Sequence, residues 1–182
     1  MITAALLTLS LMATAPGEPA PENVAEPAAE SAAERSEFAQ ACADEVEGLH
    51  QFFHDWFVGE LPDTDEAYAR FADALAPEFI IISPSGRVSR RDGLLESLRG
   101  AHGSGKETGV KIWIRGFDVR FEQGDLAIVN YEEWQQRRGS KTGRVSTAML
   151  QRDPEAPGGV RWLHLHETWL PSSQIEASQD SP

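Results

Sequence analysis

Cysteine, basic charge near the amino terminus and long apolar runs are all scarce in this chain of 182 residues. Its one cysteine, Cys42, excludes an intrachain disulfide and a cysteine-based metal cage. The first 66 residues contain 14 Asp and Glu but only one basic residue, Arg35, so the net charge of −13 arises there. The basic pairs Arg90-Arg91 and Arg137-Arg138 are too short to form the basic surface that nucleic-acid binding requires. We therefore predict no nucleic-acid partner.

The amino-terminal segment, residues 1–15, has the pattern of a secretory signal. It is apolar from Ile2 and ends in Ala13-Thr14-Ala15, which fits an A-x-A cleavage site. The run is too short to span a bilayer as a mature helix. The expectation is export to the periplasm or the exterior, with no membrane association after cleavage. The alternative is an Ala-rich tail on a cytoplasmic protein.

Residues 16–35 consist almost entirely of Ala, Pro and Glu and contain no aromatic residue. Such a segment cannot bury enough apolar area to offset its chain entropy, so we predict a disordered linker. The folded domain is expected over residues 36–172, because a chain of this length has room for one domain with a real core. A flexible tail is predicted for residues 173–182.

Hydrophobic periodicity predicts helices first and strands later. Apolar residues at helical spacing indicate a helix over Ser36 to Val58, and capping patterns place two more after Asp63 and Ser89. From Val110 onward the period changes to two, which is typical of strands. The strands are expected at Phe79–Ser83, Lys111–Phe121, Leu126–Arg137, Arg144–Arg152 and Val160–Leu170. The fold class is thus α+β, with about three N-terminal helices packed on a mainly antiparallel sheet.

Particular motifs in this order resemble the SnoaL-like group of the nuclear-transport-factor-2-like superfamily. They are the Phe79–Ser83 strand, the turn at Ser85 to Arg87, the strand entry at Gly124 to Ala127, and the ending Gly159 to Trp162 followed by His166. The resemblance implies a cone-like domain in which a strongly curved sheet wraps against the helices. The open end of the cone is then a mostly apolar pocket, and many such domains dimerise through the outer sheet face. Thr168 departs from the family pattern, because many members carry a second His there.

The last strand provides the candidate site. Strict alternation places Trp162, His164, His166 and Thr168 on one face, which would then line the cone. His166 or Glu133 is the candidate general base. The alternative is that the histidines are satisfied by partners in a packed interior. The side chains expected to line a ligand site are Trp56, Trp113, Arg115, Tyr131, Thr147, Met149, His164 and Thr168.

Two patterns that suggest other ligands are rejected. His50 and His54 lie one helical turn apart, but no carboxylate spacing completes a metal motif, so neither a metal nor another cofactor is predicted. Gly100 to Lys106 has part of the P-loop spacing. However, Glu107 stands where Ser or Thr should hold Mg²⁺, and the segment leaves a helix instead of entering one.

Three functions remain open at this point. The first is binding of a small apolar or amphipathic molecule in the cone. The second is an isomerase-, cyclase- or lyase-type enzyme, so whether the chain is an enzyme is left undecided. The third is an interaction domain that forms a homodimer through the sheet face and fills the cone with its own side chains. A cavity with converging polar groups favours the first two over the third.

Overall fold

The structure, a computed structural model, describes residues 35–178. The predicted signal, nearly all of the predicted linker and the last residues of the predicted tail lie outside this range. Within it the chain forms helices α1 (Glu37–Val58), α2 (Asp65–Ala72), α3 (Arg91–Arg99) and α4 (Ser172–Ala177). It also forms strands β1 (Leu75–Ile82), β2 (Val88–Arg90), β3 (Lys111–Gln123), β4 (Leu126–Arg137), β5 (Ser140–Arg152) and β6 (Val160–Trp169). The predicted α+β class is confirmed.

The six strands form one sheet in the order β2-β1-β6-β5-β4-β3. Strands β3 to β6 make the predicted antiparallel meander, and β1 pairs with β6 in the parallel direction. The parallel pair is possible because α3 and the meander separate β1 from β6 along the chain. Helix α1 crosses one face of the sheet and contacts β3, β4 and β6. This face is the inner face of the cone.

The core lies between α1 and the inner face of the sheet. The apolar stripe of α1 is fully buried there, as predicted from its spacing, and includes Val46, Leu49, Phe52 and Trp56. Ser36 begins the helix by accepting a hydrogen bond from the Ala39 amide at 2.9 Å. No helix within residues 35–178 is long and apolar enough to cross a membrane.

Several element boundaries differ from the sequence predictions. Strand β1 begins at Leu75, four residues before the predicted start, and β5 begins at Ser140 instead of Arg144. Helix α2 is capped by Thr64, whose hydroxyl accepts from the Ala67 amide at 3.3 Å, and not by Asp63. Ser89 lies in β2, so α3 begins two residues later than expected. The first part of the predicted flexible tail is helix α4. It lies on the sheet because Lys141 Nζ donates to the Ser178 carbonyl and Gln174 donates to Glu132.

Candidate functional site

A cavity of about 250 Å³ lies between α1 and the inner face of the sheet. Its wall is mainly aliphatic and aromatic, with side chains from α1, α2, α3 and the surrounding strands. Arg87 lines the cavity and is itself exposed, so the cavity reaches solvent beside the turn between β1 and β2. The apolar part of the wall consists of Leu49, Phe53, Phe57, Phe71, Leu75, Phe79, Ile81, Leu94, Leu98, Ile112, Trp162 and Leu165.

Two parts of the wall are polar: Ser83, Arg87 and Ser89 beside the β1–β2 turn, and a buried, charged part on the sheet. Glu133 is 4% exposed and is the centre of a hydrogen-bond network. Arg144 donates to its two carboxylate oxygens from Nε at 3.1 Å and from Nη2 at 2.5 Å. Gln135 Nε2 donates to Glu133 Oε1 at 2.6 Å. Arg144 Nε also lies 2.8 Å from Glu167 Oε1, so one guanidinium serves two buried carboxyl groups.

His50 completes this network from the helix side. Its Nδ1 lies 2.7 Å from the Val46 carbonyl oxygen, and its Nε2 lies 3.1 Å from Glu133 Oε2. Both ring nitrogens therefore lie within hydrogen-bond distance of an oxygen atom. The residue is 4% exposed and packs edge-on against Phe53 and Tyr131.

The two carboxyl groups of the network have opposite pKa shifts. Burial by itself raises the pKa of Glu133, but the charges and hydrogen bonds of His50 and Arg144 outweigh it and bring the pKa below its ordinary value. Burial raises the pKa of Glu167 to about 7, because Arg144 compensates only in part and the nearby charge of Glu133 opposes ionisation. Near neutral pH, Glu167 can thus both donate and accept a proton, whereas Glu133 remains ionised.

Two hydroxyl groups next to the network form no hydrogen bond of ordinary length and angle within residues 35–178, although Ser146 lies close enough to Tyr131 to lower the pKa of Tyr131 slightly. They are the Tyr131 hydroxyl and the Ser146 hydroxyl, both buried. Tyr131 lines the cavity, and Ser146 faces Tyr131 on one neighbouring strand and Glu167 on the other. Burial, followed by the charges of Glu133 and Glu167, holds the pKa of Tyr131 well above its ordinary value. A buried polar group without a partner carries a desolvation cost that a bound polar molecule would relieve.

The predicted alternation along β6 is wrong. The β5–β6 pairing shifts between Met149 and Leu150, so Leu163 is an extra residue in β6. Beyond this bulge the inward-facing residues are Leu165 and Glu167, which line the cavity together with Trp162. His164, His166 and Thr168 consequently lie on the outer face, and His166 is exposed. The position of His166 therefore gives no support to its suggested role as the general base.

The predicted partners on β5 also face outward. A two-residue hairpin at Arg138-Gly139, with φ of 51° and 80°, aligns Glu133 with Arg144 and Tyr131 with Ser146. The inward residues of β5 are therefore Arg144, Ser146 and Ala148. Thr147 and Met149, predicted to line the ligand, are on the other face, where Thr147 accepts from Asn130 at 2.6 Å.

The remaining predicted lining residues divide between cavity, core and outer face. Tyr131 and Glu133 line the cavity. Trp56 is fully buried beside it, and its indole nitrogen donates to the Leu98 carbonyl at 2.9 Å. Trp113 stacks on Trp134 of β4, and Arg115 lies over the same Trp134 ring, both on the outer face of the sheet.

Sequence reasoning missed four residues of the polar network: His50, Gln135, Arg144 and Glu167. The sequence pattern puts His50 at the edge of the apolar stripe of α1. In the structure His50 lines the cavity, as does Phe53 three residues later. Arg144 was available from the β4–β5 hairpin, if Arg138-Gly139 had been recognised as the turn. No sequence pattern indicates that Glu167 faces the cavity, because its side chain faces inward only as a result of the bulge at Leu163. Within residues 35–178, no three His, Cys, Asp or Glu side chains converge as metal ligands would.

Comparison with known proteins identifies both a family and a fold. A family model described as "Sucrose-6-phosphate phosphohydrolase C-terminal" matches residues 42–171. Sucrose-phosphatase 1 of Nicotiana tabacum is 25% identical over 140 residues, which are 76% of this chain and 32% of that protein. Probable sucrose-phosphatase 3a of Arabidopsis thaliana is 24% identical over 134 residues, or 74% of this chain and 31% of that protein. The chain thus spans about a third of the length of these relatives.

Solved structures show the same fold. A nuclear-transport-factor-2-like protein of unknown function from Pseudomonas aeruginosa matches with a TM-score of 0.64 and 29% identity, covering 72% of this chain and 99% of that one. The CaMKII hub of S. rosetta matches with a TM-score of 0.53 and 14% identity, covering 72% and 95%. The predicted membership of the nuclear-transport-factor-2-like superfamily is confirmed.

Proposed function

The chain belongs to the family of sucrose-6-phosphate phosphohydrolase C-terminal domains, and we propose that it is a ligand-binding domain whose cavity takes a small amphipathic molecule. The observation that carries the proposal is the division of the cavity wall. Most of it is apolar, while Tyr131, Glu133, Arg144 and Glu167 supply polar groups on the sheet side. A pocket of mainly apolar side chains with a few placed polar groups is typical of small-molecule sites.

The names of the plant relatives suggest sucrose or its phosphate as a ligand, but this cavity suits a different molecule. A sugar carries hydroxyl groups on all sides. Against Phe53, Phe79 and Leu165 those hydroxyls would lose their water partners without replacement, and each unpaired one costs about 1–3 kcal/mol. A molecule with an apolar body and one hydroxyl or carbonyl group avoids this cost, because its polar end reaches the network.

The polar end of such a ligand is expected beside Glu167. Its carboxyl group has a pKa of about 7, so it offers either an O–H donor or a carboxylate acceptor near neutral pH. The unpartnered Tyr131 hydroxyl is a second hydrogen-bonding group on the same part of the wall. Glu133 is already bonded by Arg144, Gln135 and His50, which leaves it little capacity for a ligand.

The full chain is therefore expected to bind 2-naphthol, a bicyclic apolar probe with one hydroxyl group. Isothermal titration calorimetry should show saturable binding at one site. Leu165→Trp places a larger side chain in the cavity and should weaken binding by at least about tenfold, since about 1.4 kcal/mol of lost contact suffices for that change.

Leu126→Trp is the matched control, because Leu126 is 41% exposed and does not line the cavity. It should bind 2-naphthol as the wild type does. Naphthalene, which lacks the hydroxyl group, should bind more weakly than 2-naphthol to the wild-type chain. Equal binding by the Leu165 variant, or no preference for the hydroxyl, would contradict the proposed site.

A proton-transfer enzyme is the second candidate function, favoured by the pKa of Glu167. A carboxyl group with a pKa of about 7 in a cavity is matched to general acid–base work at neutral pH. The base would then be Glu167 instead of His166 or Glu133. The variant Glu167→Gln distinguishes the two candidate functions. If the chain is an enzyme, the variant should lose turnover; if it is a ligand-binding domain, the variant should still bind the ligand.

We also propose that the chain forms a homodimer through the outer face of the sheet. Val145 and Met149 are each 38% exposed on that face, and Met149 pairs with Ile128 on β4. Exposed apolar side chains grouped on one sheet face favour association. Sedimentation equilibrium should give a dimer for the wild type and a monomer for Val145→Lys/Met149→Glu. A monomeric wild type at micromolar concentration would refute the dimer.

A further inference from the structure

A second, more open depression lies between the β4–β5 hairpin and the loop that follows α3. It has a volume of about 690 Å³, and we call it the hairpin groove. It contains two arginines and four hydroxyl-bearing residues, and no acidic residue lines it. The lining residues are Phe57, Ser104, Thr108, Gln135, Arg137, Arg138, Ser140 and Thr142.

The two arginines of the hairpin groove differ from most others in the domain. Most arginines between residues 35 and 178 either pair with a carboxylate, as Arg144 and Arg161 do, or lie over an aromatic ring, as Arg115 does. Within the same range, Arg137 and Arg138 have no carboxylate within 4.0 Å and no aromatic ring beneath them. In a chain with a net charge of −13, an arginine pair without acidic neighbours forms a local positive site.

Backbone contacts hold both sides of the hairpin groove in place. The Arg138 amide donates to the Thr108 carbonyl at 2.7 Å, and the Gly105 amide donates to the Phe57 carbonyl at 2.7 Å. The loop is thereby fixed both to the hairpin and to the end of α1. Arg138 has a φ of 51°, a left-handed conformation that is uncommon for a residue with a Cβ atom. These contacts arrange the groove before any ligand arrives, which lowers the entropic cost of binding.

The available donors match the oxygens of a phosphate group. Each guanidinium can give two parallel N–H donors to a phosphate, and the hydroxyls of Ser104, Ser140 and Thr142 add single donors. These three hydroxyls make no hydrogen bond within residues 35–178. The loop contains the segment Gly100 to Lys106, whose spacing partly matches a P-loop. The groove, however, faces the hairpin arginines and does not lie at a helix amino terminus.

We propose that the hairpin groove is an anion site that binds the phosphate group of a small phosphate monoester. The site shares Phe57 and Gln135 with the cavity, and Gln135 also donates to Glu133, but its arginines and hydroxyl groups do not line the cavity. Its occupant is hydrophilic and anionic, unlike the amphipathic molecule proposed for the cavity. The two proposals therefore stand or fall independently.

Titration of the ¹⁵N-labelled full chain with inorganic phosphate tests the site. Amide resonances of residues 104–108 and 137–142 should shift in a saturable manner, while those of the cavity residues His50 and Leu165 should not. Arg137→Gln/Arg138→Gln should weaken phosphate binding by at least about tenfold, because it removes both bidentate donors. Arg137→Gln alone leaves the left-handed position untouched and should give a partial loss.

Arg90→Gln/Arg120→Gln is the matched control, since both arginines are exposed, lie outside the groove, and their removal changes the charge equally. This variant should bind phosphate as the wild type does. Sodium chloride at the same ionic strength should produce no saturable shift in the groove. The proposal is overturned if phosphate leaves the groove resonances unchanged, if chloride reproduces its effect, or if the groove variant binds as well as the control.

Discussion

Replacing Arg144 with alanine is expected to lower the free energy of unfolding by about 3–5 kcal/mol, the range for removing one partner of a buried ion pair. Arg144 lies between Glu133 and Glu167, whose side chains are 4% and 5% exposed. Without the guanidinium, the carboxyl groups of Glu133 on β4 and Glu167 on β6 would lie on either side of β5 with no shared cation. Urea denaturation at pH 7 measures the loss, and circular dichroism checks that the native fold is retained.

Two further variants make this expectation specific. Arg120→Ala breaks a pair in which Arg120 is 62% and Asp118 is 55% exposed, so it should cost only about 0–1 kcal/mol. Adding Glu167→Gln to Arg144→Ala replaces the second buried carboxyl group by a neutral amide that can donate to Glu133, and it should recover part of the stability. A loss below about 1 kcal/mol for Arg144→Ala would mean that solvent or rearrangement satisfies the carboxylates, and would contradict the buried network.

Glu167→Gln is expected to remove a fall in stability that the wild type shows between pH 5 and pH 8. The folded-state pKa of Glu167 is about 7, whereas an unfolded glutamate has its ordinary value of 4.5. Between these values the folded state binds more protons than the unfolded state, so the wild type loses stability as the pH rises. Between pH 5 and pH 8 the free energy of unfolding of the wild type should fall by on the order of 2–3 kcal/mol more than that of the variant.

Urea denaturation of both proteins across this pH range measures the effect. Glu78→Gln makes the same change at an exposed position outside the cavity, so its pH dependence should run parallel to that of the wild type. Glu133 provides an internal contrast, because its folded-state pKa is depressed and its contribution is lost as the pH falls below 4.5. If the Glu167 variant and the wild type respond to pH alike, Glu167 does not titrate in the cavity as described.

The domain is similar in sequence to sucrose-phosphatases over about a third of their length. The chemistry of its cavity argues against inferring from this similarity that the cavity binds a sugar. Its walls suit an apolar body, and its polar network is concentrated on the sheet side. A phosphorylated compound finds better partners in the hairpin groove, where Arg137 and Arg138 are unpaired within residues 35–178. The two proposed sites are thus chemically different, and Phe57 and Gln135 line both.

Local sequence patterns are sufficient to predict the order of the helices and strands and part of the candidate site. The stripe of α1 and the period-two runs of β3 to β6 act over a few residues, so they can be recognised without knowledge of contacts. Tyr131 and Glu133 line the cavity, and their alternation on one strand is a pattern that the sequence shows directly. The predicted strands leave a longer loop after Arg137, whereas the structure has a two-residue turn at Arg138-Gly139.

By itself, the sequence determined an α+β domain of the nuclear-transport-factor-2-like type, with its helices before its meander. Only the tertiary structure decided which polar residues meet in the cavity. A bulge at Leu163 moves His164 and His166 to the outer face and brings Glu167 inward. The physical reason is that a strand has a period of two, so one extra residue reverses the face of every residue beyond it. No local sequence pattern predicts the position of the extra residue, because that position depends on the pairing between β5 and β6.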